Sequence, residues 1–171
     1  MAKQLIIALF LSTLSVNCLA IELKTDDLAP LFKTKTHEGN NFDLASRKGK
    51  WTVLYFYPKA ETPGCTKQAC AFRDAIKSIR ALDADVFGIS ADEVSELSKF
   101  HKKHNLNFTL LADPKVEIIN AYGAKMPVID MSKRWTFIID PSLKIRTINN
   151  KVDPIKDADE VAKKIKTLKG A

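Results

Sequence analysis

The sequence predicts an α/β domain, a mixed central β-sheet flanked by helices, with an N-terminal β-hairpin. Three observations carry this. Aromatic and β-branched runs at 51–57 (WTVLYFY), 85–90 (DVFGIS) and 135–140 (WTFIID) read as buried strands. Segments with apolar residues at helical spacing follow the first two runs, the alternation expected of a layered α/β sheet. The chain then closes on a strand, a turn, a second strand and a helix, so parallel and antiparallel pairs should share one sheet.

The elements follow in order. Residues 31–36 and 41–44 flank the turn-rich His37-Glu38-Gly39-Asn40-Asn41 and can pair as the hairpin. The strand at 51–57 ends at Pro58, and a helix is expected from Pro63 to about Arg80. The strand at 85–90 leads into a helix at 91–104. A short strand at 108–112 precedes a short helix at 114–122, with Gly123 as its C-cap. Pro141-Ser142 turns the strand at 135–140 into a strand at 145–148. The last helix is expected at 158–168, capped by Asp157, with Val161, Ile165 and Leu168 as its apolar stripe.

Composition bounds what this domain can be. The chain has 171 residues, 46% hydrophobic and 27% charged, which suits one globular domain and excludes a disordered, collagenous or polytopic membrane protein. Three cysteines are too few for a disulfide scaffold, and a chain of this length needs none. Residues 1–20 differ from the rest: one base (Lys3), no acid, an apolar stretch, then Cys18-Leu19-Ala20, with small residues one and three positions before the expected cut. This is the pattern of a secretory signal peptide, expected to be cleaved after Ala20 and too short in its apolar part to span a membrane comfortably. The expected organisation is a signal peptide at 1–20 and a single domain at 21–171. The domain would then be exported, with the periplasm the expected compartment, and hold no stable membrane association after cleavage. Its cysteines, Cys65 and Cys70, would meet conditions in which disulfides persist.

The chemistry concentrates where the strand at 51–57 gives way to the next helix. Thr62 is a suitable N-cap, Pro63 fits the first helical position, and Gly64 allows another group close to the backbone. Cys65 therefore falls in the first turn, where unpaired N–H groups and the helix dipole favour a thiolate, the reactive form of cysteine. Ala69, Phe72, Ile76 and Ile79 form an apolar stripe. At 100° per residue Cys65 projects onto it, while Cys70 lies roughly 140° away. A cysteine on an apolar face is often a plain core residue, and two exported cysteines often form a static bridge. Five residues along an intact helix separate Cα atoms by about 8–9 Å. A disulfide spans about 4.4–6.8 Å, so joining these two requires the first turns to unwind.

The pattern Pro58-x-x-x-Thr62-x-x-Cys65, preceded by Tyr55-Phe56-Tyr57 and continued by Thr66, Ala69-Cys70 and Phe72-Arg73-Asp74, closely resembles the peroxiredoxins. The cysteine five residues on points to the bacterioferritin comigratory protein, or peroxiredoxin Q, subfamily. Further matches follow at 110–114 (LLADP), 121–123 (AYG) and 134–140 (Arg134 with WTFIID). The resemblance implies a thioredoxin-like fold of peroxiredoxin type and a cofactor-free thiol peroxidase acting on hydrogen peroxide and organic hydroperoxides. It implies that Cys65 is the peroxidatic cysteine and Cys70 the resolving one, joined in an intramolecular disulfide, with Pro58, Thr62 and Arg134 completing the site. By residue type, Arg134 is a permanent cation for the thiolate and a peroxide oxygen, Thr62 both accepts and donates, and Pro58 shields the sulfur from water. The expected partners are a peroxide and a thioredoxin-like dithiol reductant, which export would require to lie outside the cytosol. No other cysteine remains near the C-terminus to serve a partner chain, so a monomer is expected.

Other signals are weaker. His101 and His104 share a helical facing, but no further cysteine or histidine stands near them, and a structural metal site wants four ligands. The net charge of +7 is spread over bases that never run longer than two, so no nucleic-acid partner is expected. Trp51 and Trp135 read as core. Two other functions stay open on sequence: an exported thiol–disulfide oxidoreductase, against which the spacing of four residues between the cysteines argues, and a binding module with an inert disulfide.

Overall fold

The computed structural model describes residues 22–170; the expected signal segment at 1–20 lies outside the described residues. The strands are β1 (Lys33–Thr36), β2 (Asn41–Asp43), β3 (Trp51–Phe56), β4 (Ala84–Ser90), β5 (Thr109–Ala112), β6 (Trp135–Ile139) and β7 (Ile145–Asn149). The helices are α1 (Pro63–Arg80), α2 (Val94–Lys103), α3 (Glu117–Ala121) and α4 (Asp157–Leu168). Among the described residues the strands form one mixed sheet in the order β2-β1-β5-β4-β3-β6-β7. The pairs β3–β4 and β4–β5 are parallel, and the others are antiparallel.

The alternation of side chains along β3 builds two cores. Val53, Tyr55 and Tyr57 face one side, where Phe72, Ile76 and Ile79 of α1, Leu97 and Phe100 of α2, and Val161 and Ile165 of α4 cover them. Leu54 and Phe56 face the other side, against Ile118 and Ile119 of α3, Tyr122 and Phe137. A strand covered on both faces reads as a continuous apolar run, which is why 51–57 stands out in the sequence. Trp51 packs against the first core and Trp135 against the second, each half-buried. The register pairs Tyr55 with Gly88 of β4. A Cβ at Gly88 would lie 2.6 Å from the Tyr55 ring, so the large aromatic requires glycine as its neighbour.

Element ends differ from expectation where side chains compete for the backbone. Helix α2 begins at Val94 rather than at residue 91, because Asp92 is committed elsewhere and Glu93 with Glu96 forms a capping box. Helix α3 is shorter than expected. The Asp113 carboxylate accepts the N–H groups of Glu117 and Ile119 at 3.0 and 2.8 Å, and Val116 takes a left-handed conformation (φ 59°) just before the first turn. The expected cap of α4 is corrected: Lys156 occupies the cap, and Asp157 is the first helical residue, fully buried with its carboxylate turned inward.

Two features of this fold position the site. Helix α1 starts a few residues beyond the carboxyl end of β3, where ligands gather in α/β sheets. Strand β6 runs antiparallel to β3 with Trp135 opposite Phe56, so residue 134 arrives at that same end of the sheet.

Candidate active site

Cys65 lies in the first turn of α1 and is 1% exposed, packed in the first core with Ala69 and Phe72. It faces inward as its helical spacing predicts, and Cys70 is half-exposed. Both are free cysteines on one unbroken helix. Arg134 donates from Nη2 to the Cys65 sulfur at 3.4 Å and from Nη1 to Gln68 Oε1 at 2.5 Å. A Cβ at Gly64 would stand 3.2 Å from Arg134 Nη2, so this glycine lets the guanidinium lie against the helix start.

Thr62 occupies the N-cap position of α1, but its hydroxyl does not cap the helix. It donates to the Lys59 carbonyl at 2.9 Å. The hydroxyl hydrogen is thereby used, and the oxygen is left as an acceptor. Pro58 is half-buried directly after Tyr57. The loop between Pro58 and Thr62 is tied down by Asp92, whose Oδ2 accepts the Ala60 N–H at 2.8 Å and the Ser90 hydroxyl at 2.7 Å. On its outer side Glu61 pairs with Lys103 at 2.6 Å and His104 at 3.4 Å. The hydrogen bond from Lys103 holds the Glu61 carboxyl below its ordinary range.

Sequence reasoning missed three residues. Asp92 reads locally as an acid at the start of a helix, because the partner that ties it to the site loop, the Ala60 N–H, lies 32 residues away. Gln68 and Asp157 were visible as polar residues at positions of apolar stripes: Gln68 is beside Ala69 on the face of Cys65, and Asp157 is four residues before Val161. A buried polar residue is more informative than an exposed apolar one. Both are fully buried, and Gln68 Nε2 donates to Asp157 Oδ2 at 2.7 Å. Of the remaining candidates, His101 and His104 part company. His101 stacks on His37 with ring centroids 3.8 Å apart, and His104 turns to Glu61.

The model of the AhpC/TSA family matches residues 25–148. The chain is 38% identical over 154 residues to the chloroplastic peroxiredoxin Q of Populus jackii, covering 89% of this chain and 72% of that one. It is 39% identical over 132 residues to peroxiredoxin Bcp of Escherichia coli, covering 74% and 85%. Among solved structures, peroxidoxin BcpB of Mycobacterium tuberculosis superposes with a TM-score of 0.80 at 30% identity, covering 86% and 99%. The bacterioferritin comigratory protein of Xanthomonas campestris, described for its alkyl peroxide reduction activity, superposes with a TM-score of 0.77 at 25% identity, covering 80% and 91%. The fold and these relatives define a thiol peroxidase of the peroxiredoxin class. The chain belongs to the AhpC/TSA family, and the members to which it is similar here are the peroxiredoxin Q and Bcp proteins.

Proposed function

We propose that the protein reduces hydrogen peroxide and organic hydroperoxides at Cys65, with Cys70 resolving the oxidised sulfur on the same chain. The observation that carries this reading is the buried Cys65 sulfur at the start of α1 with the Arg134 guanidinium donating to it. A guanidinium beside the sulfur is a counter-charge for the attacking form of a cysteine. The thiolate attacks one peroxide oxygen. The S–O bond forms as the O–O bond breaks, and the second oxygen leaves with the electron pair and takes a proton to become water or alcohol. Arg134 stabilises charge as it moves onto the departing oxygen. Thr62, its own hydrogen given to Lys59, accepts the peroxide O–H. Pro58 shields the sulfur from solvent.

Cys65 is then a sulfenic acid. The segment between the cysteines unwinds, and the Cys70 sulfur attacks the Cys65 sulfur. The S–S bond forms, the S–O bond breaks, and hydroxide leaves with the thiol proton as water. A thioredoxin-like dithiol donor restores both thiols by two exchange steps and becomes a disulfide itself. With both sulfurs on one helix, a single chain completes the cycle, which supports a monomer. The composition of residues 1–20 supports export to the periplasm, so the donor would act there.

One assay tests the reading. One equivalent of hydrogen peroxide added to the reduced protein should remove both thiols rapidly without a dimer. Cys65→Ser should abolish the reaction, and Cys70→Ser should stop at a sulfenic acid trapped by dimedone. Loss of thiols at the slow rate of an ordinary cysteine would point instead to an exchange protein or an inert pair.

A further inference from the structure

A hydrogen-bonded chain, half-buried at Arg134 and fully buried from Gln68 onward, runs from the Cys65 sulfur into the last helix. Arg134 Nη2 meets Cys65, Arg134 Nη1 meets Gln68 Oε1, and Gln68 Nε2 meets Asp157 Oδ2, which also accepts the Thr136 hydroxyl at 2.8 Å. Each direction is forced. A guanidinium only donates and a carboxylate only accepts, so the Gln68 amide has one orientation that satisfies both. Asp157 is fully buried, and its Oδ1 has no hydrogen-bond partner among the described residues. A carboxylate held in the core with one oxygen unsatisfied is an arrangement that packing alone disfavours. Its one connection to chemistry is Gln68.

Gln68 also lies between Cys65 and Cys70. On the intact helix their Cα atoms are about 8–9 Å apart, beyond the span of a disulfide. The segment that must unwind has Gln68 at its middle, clamped between Asp157 of α4 and Arg134, the residue just before β6. We propose that Asp157 is a positioning residue: through Gln68 it fixes Arg134 on the Cys65 sulfur, and through the same bond it pins the segment that must unwind for Cys70 to reach Cys65. The inference rests on the assignment of Cys65 and Cys70 given above.

Asp157 therefore acts in opposite senses on two steps. It favours the attack on peroxide, which needs Arg134 in place, and it opposes disulfide closure, which needs Gln68 to leave. A side chain that only stabilised the fold would not divide its effects in this way.

Quenched-flow mass spectrometry on the full chain separates the steps, because sulfenic acid formation depends on peroxide concentration and disulfide closure does not. Asp157→Ala should slow the first about tenfold and speed the second severalfold, the scale of one hydrogen bond to a charged group. Asp157→Asn retains an oxygen for Gln68 and Thr136 and should return both steps to within about twofold of the wild type. If Asp157→Ala does not fold, Gln68→Met cuts the same link from the other end and should give the same pair of opposite changes. Both steps changing in one direction, neither changing, or Asp157→Asn behaving like Asp157→Ala overturns the inference while leaving the Cys65 reading intact. Continued rapid peroxide consumption by Cys65→Ser overturns both.

Discussion

Arg134 and Cys65, 69 residues apart in sequence, meet at 3.4 Å because β6 runs antiparallel to β3 and brings the residue just before it to the start of α1. The guanidinium spans two acceptors, the Cys65 sulfur and Gln68 Oε1. An ammonium is a point charge on a flexible stem and cannot reproduce that fork. Arg134→Lys should therefore keep the charge yet slow sulfenic acid formation, by about 10²-fold if the loss resembles removal of one donor from a transition-state site. Stopped-flow mixing with hydrogen peroxide measures it, and a rate within twofold of the wild type would remove Arg134 from the reaction.

Gly64 tests the same contact from the helix side. A methyl group there would lie 3.2 Å from Arg134 Nη2, closer than ordinary van der Waals contact. The guanidinium must move by a few tenths of an ångström, away from the Cys65 sulfur to which it donates. Gly64→Ala should lower the rate with peroxide roughly tenfold. Urea denaturation should show little loss of stability, because alanine suits a helix better than glycine does.

Asp92 anchors the loop that carries Pro58 and Thr62. Its carboxylate is buried and accepts from Ala60 N–H and the Ser90 hydroxyl. Asp92→Ala strands both donors, and each buried unsatisfied group costs about 1–3 kcal/mol. The variant should lose stability on that scale in urea, and its rate with peroxide should fall as the loop loosens. Unchanged kinetics in a destabilised protein would confine Asp92 to folding.

Signals carried within one segment were legible in the sequence. The limits of α1 follow from Pro63 and the stripe of Ala69, Phe72, Ile76 and Ile79, and the burial of Cys65 follows from the same periodicity. What stayed hidden depends on partners far along the chain. Asp157 fits the local rule for a helix cap, yet its carboxylate turns to Gln68 and Thr136, 89 and 21 residues away. Asp92 looks like a helix-starting acid until Ala60 claims it. The expected signal peptide, by contrast, rests wholly on the composition of residues 1–20.

Unwinding of the first turns of α1 has its own observable. In the reduced protein the Thr66 N–H is bonded to Thr62 O at 2.9 Å, and α1 runs unbroken through both cysteines. Amides at 66–70 should exchange slowly in the reduced form and lose protection in the disulfide form, while the rest of α1, held by Phe72, Ile76 and Ile79, stays protected. Equal protection of the segment in both forms would contradict disulfide formation by local unwinding.

Asp157 also sets a pH dependence of stability. Burial raises its carboxyl from the ordinary range to about 6, against the opposing hydrogen bonds from Thr136 and Gln68. The fold therefore prefers the protonated acid. The stabilisation it draws from that preference is full below the unfolded value of about 4 and is lost as pH rises through about 6. At neutral pH the protein holds an ionised carboxylate in its core at a cost on the order of 3 kcal/mol. Asp157→Asn removes the titration and keeps an acceptor for Gln68 and Thr136. The amide nitrogen takes the place of an oxygen that already lacks a partner, so any penalty there is independent of pH. The informative quantity is thus the slope. Measured by urea denaturation between pH 4 and 7.5, the stability of Asp157→Asn relative to the wild type should rise with pH through the region around 6 and level off above it. A difference that stays constant across that range would mean that Asp157 does not titrate there. A rise would show that the protein carries a buried charge, linked through Gln68 and Arg134 to Cys65, at the expense of its own stability.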